Sequence, residues 1–453
     1  MKKQKLSYTK KEVVLSLQHM FAMLGATVLV PILANMDVSM TLIAVGLGTI
    51  AFYFISDKKV PVFLGASFAF LPAYISILGN AGEIGSSTWN DKMGAVSIAL
   101  VLTGVLYFVV AYFIKRIGVA KMKKIFPIIV IGPVIILIGL ILAPKMLYNN
   151  VVANYVTGGS VAWKEWSAAI ITAVTILVVN SYAKPKSLLR VMPIILGFLV
   201  GYIYSAAIGL IDFNNIFSGQ IFVFQNFSKT FGFYGSLNIN FAIIFAILPV
   251  ALVSIMEHIG DISANSVVCG KDFYVDPGIH KTLMGDGVAG MIAGVLGSPT
   301  NTTYGENTAV LAMTKNYDPK NLFLAAVFTV IFGLFTPFAE ALMSIPAAVI
   351  GGASLILFGM ISASGLRALI EAKVNLNKTK NLMIITLILS VGLGLSTLSI
   401  IGDATGNTLY KIMLGGVEIS PLAIATLLGI FLNAVLPLEK DIDEEIEKID
   451  TNL

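Results

Sequence analysis

Glu257, His258, Asp261 and Glu306 stand inside apolar stretches, as do Gln18 and His19 near the start of the chain. A carboxylate at the centre of a bilayer costs about 3 kcal/mol, so each intramembrane acid is a functional candidate by default. The chemistry open to such groups is narrow. Carboxylates accept hydrogen bonds from N–H donors, and a buried carboxyl or imidazole can hold and release a proton. Asp261 follows Glu257 by one helical turn and shares its face. The two are expected to titrate as a coupled pair, unless Asp261 merely meets water at a helix end. The alternative for Glu257 is a neutral carboxyl joining two helices, and His19 and His258 could be satisfied core histidines. Glu306 follows Asn301-Thr-Thr-Tyr304-Gly305, a stretch too polar for an ordinary span, and Glu340 reads as interfacial. No nucleophile–base pair or metal cluster is recognisable, so an enzyme is not expected, nor any cofactor or metal. The single Cys269 excludes an internal disulfide and reads as a small apolar filler.

Residues of this kind need a membrane domain to hold them. Of the 453 residues, 57% are hydrophobic and 12% charged, with a mean hydropathy of +0.88. A soluble chain of this length would need many more charges to cover its surface. Apolar runs long enough to cross a bilayer read at 14–34, 39–56, 61–79, 93–114, 125–144, 166–183, 190–211, 241–261, 284–297, 299–314, 321–344, 347–366, 381–401 and 420–437. The expected architecture is therefore an all-α integral membrane protein of about fourteen transmembrane helices. The basic start, Met1-Lys-Lys-Gln-Lys-Leu, precedes an apolar run with no small-residue cleavage site, so no cleavable signal peptide is expected.

Orientation follows from the basic residues. With the N-terminus in the cytoplasm, the inner segments hold 25 Lys and Arg and the outer segments 5, accounting for all 30. That asymmetry supports cytoplasmic termini, and it explains the net charge of +5 without a nucleic-acid partner. The acidic stretch 438–453 reads as a solvated cytoplasmic tail, like 1–13 at the other end.

The halves of the chain echo each other. Phe126-Pro-Ile-Ile-Val-Ile-Gly132 matches Ile345-Pro-Ala-Ala-Val-Ile-Gly351, and Ser16-Leu-Gln18-His19 resembles Ile255-Met-Glu257-His258. The third and tenth spans are both interrupted, by Gly65-Ala-Ser67 and Gly297-Ser-Pro-Thr-Asn301. A seven-span unit is odd, so its second copy enters from the opposite side and the repeats are inverted. In transporters so built, interrupted helices hold the substrate near the midplane, with unpaired N–H groups and positive dipole ends at the half-helix N-termini. Carboxylates for N–H donors and backbone N–H groups for carbonyls would suit uracil and related nucleobases. Other small amide-bearing solutes fit the same description.

The run Gly297-Ser-Pro-Thr-Asn-Thr-Thr-Tyr-Gly-Glu-Asn307 closely resembles the signature region of the nucleobase–ascorbate (nucleobase:cation symporter-2) family. Gln18-His-Met-Phe-Ala-Met-Leu-Gly-Ala-Thr-Val-Leu-Val-Pro31, Gly65-Ala-Ser-Phe-Ala-Phe70, Glu257-His-Ile-Gly260 and Ser364–Lys378 agree with it. The resemblance runs from about residue 12 to 437. It implies short antiparallel strands in spans 3 and 10, a core domain at 14–114 and 241–344, and a gate domain at 125–211 and 347–437. It also implies that Glu257 and Glu306 bind a nucleobase through their side chains, and that Phe68 and Gly305 offer backbone amides. Ala26 and Tyr304 would line the pocket, with Asp261, Glu257 and His258 coupling transport to protons. The implied activity is uracil import by proton symport across a bacterial cytoplasmic membrane, often by a homodimer joined through the gate domains. Two positions depart from the pattern: Ala309 stands where the signature expects Gly, and Asp261 where uracil carriers have His. Asp there is common in purine carriers, which usually have Gln and Ser where this chain has Glu306 and His258. A xanthine or purine symporter is thus the nearest alternative, and an anion exchanger or channel of the same fold the more distant one.

Overall fold

In the computed structural model, residues 8–118, 121, 127–152, 162–184, 187–211, 213, 219–223, 231–415 and 417–437 are described, except for the side chains of Ala162, Leu188, Val191, Glu306 and Ala404. Phe126 of the repeat motif and the acidic stretch 438–453 lie outside them.

Fourteen helices follow the expected spans. They are α1 (Lys10–Ala34), α2 (Val38–Ile55), α3 (Leu71–Leu78), α4 (Ser87–Ile117), α5 (Ile128–Leu147), α6 (Ala162–Tyr182) and α7 (Pro193–Ala207) in the first half. The second half holds α8 (Phe241–Cys269), α9 (Ile279–Val295), α10 (Gly305–Thr314), α11 (Pro319–Leu334), α12 (Ala347–Glu371), α13 (Thr379–Thr405) and α14 (Pro421–Val435). Eight of these are long and apolar enough to cross a membrane by themselves, namely α1, α2, α4, α5, α6, α8, α12 and α13. The two interrupted spans each begin as a strand, β1 (Leu64–Ala66) before α3 and β2 (Asn301–Thr303) before α10. Their pairing is antiparallel, with Leu64 opposite Thr303, Gly65 opposite Thr302 and Ala66 opposite Asn301. Corresponding segments of the two halves thus meet head to tail, as an inverted repeat requires.

Local chemistry sets the helix ends. Thr9 and Glu12 form a reciprocal capping box at the start of α1, and Asn35 ends it in the left-handed region. Asp37, Ser86, Asn240 and Asp318 cap α2, α4, α8 and α11 through their side chains. The eleventh span is not one helix: it breaks at Phe335, and a short helix (Thr336–Met343) with Pro in its first turn carries Glu340. The ninth starts at Ile279, ahead of the 284 expected from hydropathy, because its first turn is polar and includes His280 and Lys281.

Two sets of helices have the most extensive mutual contacts. In one, α9 packs on α4 and α2, α11 on α2 and α1, and α8 on α4. In the other, α12 packs on α5 and α6, α13 on α5 and α14, and α7 on α6. Small residues let the backbones touch. A Cβ on Gly139 of α5 would fall 2.1 Å from the Phe358 carbonyl of α12, and one on Gly352 of α12 would fall 2.1 Å from that of Ala169 in α6.

Candidate substrate and proton site

β1 and β2 cross at the centre of the site. The ladder continues one step past the strands, where Ser67 N–H donates to the Thr300 carbonyl at 2.9 Å. Phe68 is the next residue, at the entrance to α3. On the other side Tyr304 and Gly305 lead into α10, and neither half-helix is capped by a side chain. Orphan N–H groups of two helix starts therefore lie at the ends of one short ladder.

Tyr304 fixes this arrangement. Its hydroxyl donates to the Ala66 carbonyl at 2.6 Å, and its ring lies near-parallel to that of Phe68, at 17° with centroids 6.4 Å apart. A Cβ on Gly65 would fall 2.3 Å from the Tyr304 ring, so glycine is what lets the ring lie against the strand. Ala26 of α1 belongs to the same buried cluster as Tyr304, with Phe68 packed against it. The Phe68 ring also meets Phe358 of α12 edge-on, at 5.8 Å.

α8 supplies the ionisable groups, and they read the strand pair turn by turn. Ser254 Oγ donates to Thr302 Oγ1 at 3.1 Å. Thr303 Oγ1 donates to Asp261 Oδ2 at 3.3 Å and lies 3.5 Å from His258 Nδ1. Asn265 Nδ2 donates to the Pro61 carbonyl at 3.0 Å, and Asn307 Nδ2 of α10 reaches the same oxygen at 3.1 Å. Asp261 also faces the start of α10, its Oδ1 3.2 Å from where a Gly305 Cβ would be. The helix runs two turns past Asp261, to Cys269, so this acid does not sit at a helix end as one reading of the sequence allowed. Glu257 lies one turn earlier on α8 and is partly buried. Glu306 is the second residue of α10, and its side chain lies outside the described residues. Ala309 is exposed one turn after Gly305, so its extra methyl does not enter helix packing.

The sequence reading missed Asp286. It is buried in α9, and its Oδ2 is 2.8 Å from His258 Nδ1. On the other edge of the ring, His258 Nε2 faces Thr282 Oγ1 at 2.9 Å. The Thr282 hydroxyl also reaches the Ile279 carbonyl at 2.9 Å. The available signal was an acid inside the ninth span, the feature that singled out Glu257. His19 is likewise buried.

A family model described as a permease family (Xan_ur_permease) matches residues 10–401. The uracil permease of Bacillus caldolyticus is 38% identical over 427 residues, covering 94% of this chain and 92% of its own. That of Escherichia coli (strain K12) is 34% identical over 429 residues, covering 94% and 91%. Among solved structures, the transmembrane domain of the cyanobacterial bicarbonate transporter BicA superposes with a TM-score of 0.60 at 12% identity, covering 94% of this chain and 97% of that one. The murine anion transporter Slc26a9 in its inward-facing state gives 0.57 at 10%, covering 95% and 68%. Those two likenesses establish a common fold.

The buried pair makes a direct test. Asp286→Ala leaves the His258 imidazole buried without its partner, a loss of about 3–5 kcal/mol if the pair is charged. Asp286→Asn keeps a hydrogen-bonding group and should cost less. Thermal unfolding of the detergent-solubilised variants should rank them wild type, Asn, then Ala; equal midpoints for all three would contradict the pairing.

With its interrupted spans, its inverted repeat and relatives matching over nearly its whole length, the chain belongs to the permease family, the nucleobase–ascorbate (nucleobase:cation symporter-2) transporters.

Proposed function

We propose that the chain imports uracil across the cytoplasmic membrane, coupled to protons, by alternating access. The observation that carries this reading is the β1–β2 crossing, which brings two uncapped helix starts together beside the acids of α8. Backbone N–H groups at Phe68 and Gly305 suit the ring carbonyls, and Glu257 and Glu306 suit the ring N–H donors. Ala26 and the Tyr304 ring close the pocket with apolar surface. The names of the relatives support uracil within this chemistry. Acidic groups at the site argue against an anion path, because anion pores favour Lys and Arg.

The two packing sets of helices support a core domain built from spans 1–4 and 8–11, moving against a gate domain of spans 5–7 and 12–14. Homodimerisation through the gate domain is part of the same reading. The charge asymmetry of 25 to 5 supports cytoplasmic termini. Competition for radiolabelled uracil uptake by unlabelled uracil, thymine, xanthine and adenine tests the substrate. Uracil should compete best, and stronger competition by xanthine would transfer the reading to a purine carrier.

Removing either binding carboxylate leaves a ring N–H unsatisfied at a cost of about 1–3 kcal/mol, more where charge is involved. Glu257→Ala and Glu306→Ala should each abolish detectable uptake in a folded protein. Unchanged uracil affinity in a purified variant would remove that residue from the site.

Asp261 is the proposed coupling group, together with Glu257 and with His258 beyond Thr303. A carboxyl beside another acid titrates as one of a pair, and its proton affinity shifts as burial changes between outward- and inward-facing states. Asp261→Asn should keep uracil binding but weaken accumulation in proteoliposomes driven by a pH gradient, and Asp261→His should retain much of it. Wild-type accumulation by Asp261→Asn would exclude Asp261 from coupling.

A further inference from the structure

A cavity lies away from the strand crossing. It is about 440 Å³ in volume, formed between the first turns of α1 and the link from α10 to α11, and lined by Lys11, Leu15, Gln18, Met313, Lys315 and Asn316 among others. Nearby, the Tyr8 hydroxyl ties the start of the chain to α11, donating to the Lys320 carbonyl at 3.3 Å. Three lysines on the face where the chain starts pair with acids: Lys59 with Asp276, Lys281 with Asp57 and Lys320 with Asp318. Asp276 accordingly holds the Lys59 ammonium above its usual range, and Lys281 holds the Asp57 carboxyl below its own. Lys11 and Lys315 line the cavity without an ion pair among the described residues. Two cations beside Leu15 and Met313 form a poor surface for a neutral solute and a good one for an acidic, partly apolar peptide.

The chain supplies such a peptide. Between Glu439 and Asp450 it carries Glu439, Asp441, Asp443, Glu444, Glu445, Glu447 and Asp450 against Lys440 and Lys448. Ile442, Ile446, Ile449 and Leu453 recur at spacings of four, three and four, the pattern of one apolar helix face. Fourteen spans return the chain to the face on which it began, so this stretch and the cavity share a compartment. Its point of departure is fixed, because Lys380 Nζ donates to the carbonyls of Asn433 and Leu436 at the end of α14, each at 2.8 Å. The fifteen residues after Leu438 reach up to about 50 Å when extended.

We propose that the acidic stretch 438–453 docks into the Lys11–Lys315 cavity of its own chain and restrains transport by bracing α1 against α10. Both helices contribute to the proposed site, through Ala26 and Gly305, so a peptide wedged between their far ends opposes any movement of the site. The test uses the full chain with Cys269→Ser, one cysteine in the cavity (Leu15→Cys, or Met313→Cys as an independent position) and one in the stretch (Ile446→Cys). Mild oxidation in membranes should cross-link both pairs. Lys11→Glu with Lys315→Glu, or 1 M salt, where the screening length falls to about 3 Å, should lower the cross-linked fraction about tenfold, as expected for the loss of two ion pairs reinforced by like-charge repulsion. Substituting Asp443→Asn, Glu444→Gln, Glu445→Gln and Glu447→Gln should raise initial uptake about two- to fivefold, as release from a state occupied in half to four-fifths of molecules would. Absence of a cross-link at both cavity positions, a cross-link indifferent to charge reversal, or an unchanged uptake rate each overturns the proposal. Protection of the cavity thiol by inorganic phosphate without any cross-link would overturn it in favour of a free anion. The cross-link is read without substrate, so its failure is distinct from a failure of the uracil reading.

Discussion

A peptide group in hydrocarbon that is not hydrogen-bonded costs several kcal/mol, and two stretches of this chain leave the helix at membrane depth. Much of the interior answers that constraint. Each strand satisfies the other, through the Leu64–Thr303, Gly65–Thr302 and Ala66–Asn301 pairs. The groups left over at the edges are taken by side chains from the surrounding helices. Thr49 Oγ1 accepts from Leu64 N–H at 3.1 Å, and the Tyr74 hydroxyl accepts from Thr300 N–H at 3.0 Å. Asn301 Nδ2 donates outward to the Ala44 carbonyl of α2 at 3.0 Å, where Gly48 leaves room for it. Asn265 and Asn307 both close on the carbonyl of Pro61.

This separates scaffold from site among the buried polar residues. Thr49, Tyr74, Asn265, Asn301 and Asn307 have backbone groups to satisfy, and their polarity needs no further explanation. Asp261 instead accepts from the side chain of Thr303. Acids are poor partners for surplus N–H groups that a neutral Asn or Thr could satisfy without the cost of burying charge. His258 stands between the classes: Thr282 and Asp286 hold it from behind, while its Nδ1 edge also approaches Thr303 on the strand. The imidazole thereby links the strand crossing to α9.

Hydropathy made the fourteen spans and both breaks legible, because length of apolar run and the Gly-Ala-Ser and Gly-Ser-Pro clusters are local properties. The pairing of β1 with β2 was legible only through the resemblance, since strands of three residues carry no periodicity of their own. The end of α8 was misjudged for a physical reason. Hydropathy falls at Asp261, but the helix continues because Ile262 and Asn265 remain buried against neighbouring elements and only Gly270, at φ 63°, terminates it. Asp286 lies between Gly285 and Gly287 on α9. The same glycines let α9 approach α2 and α4, where a Cβ would meet Phe52 and Tyr107 at 2.6 and 2.8 Å.

The spacing of contacts along α8 bears on how such a site can move. Ser254, His258, Asp261 and Asn265 recur at four, three and four residues, one face of a helix, and each touches the strand pair or the segment leading into it. Sliding α8 by a single turn would replace all four contacts at once, and tilting α10 away would break the shared clamp on Pro61. Small independent shifts of these elements therefore carry a large cost in unsatisfied polar groups. The contacts across to the second set of helices are of another kind near the crossing: Phe68 meets Phe358 through ring surfaces, and apolar surfaces can be exchanged for one another without stranding a donor. Separating Phe68 from α12 is thereby less costly than separating the strands from α8 or α10.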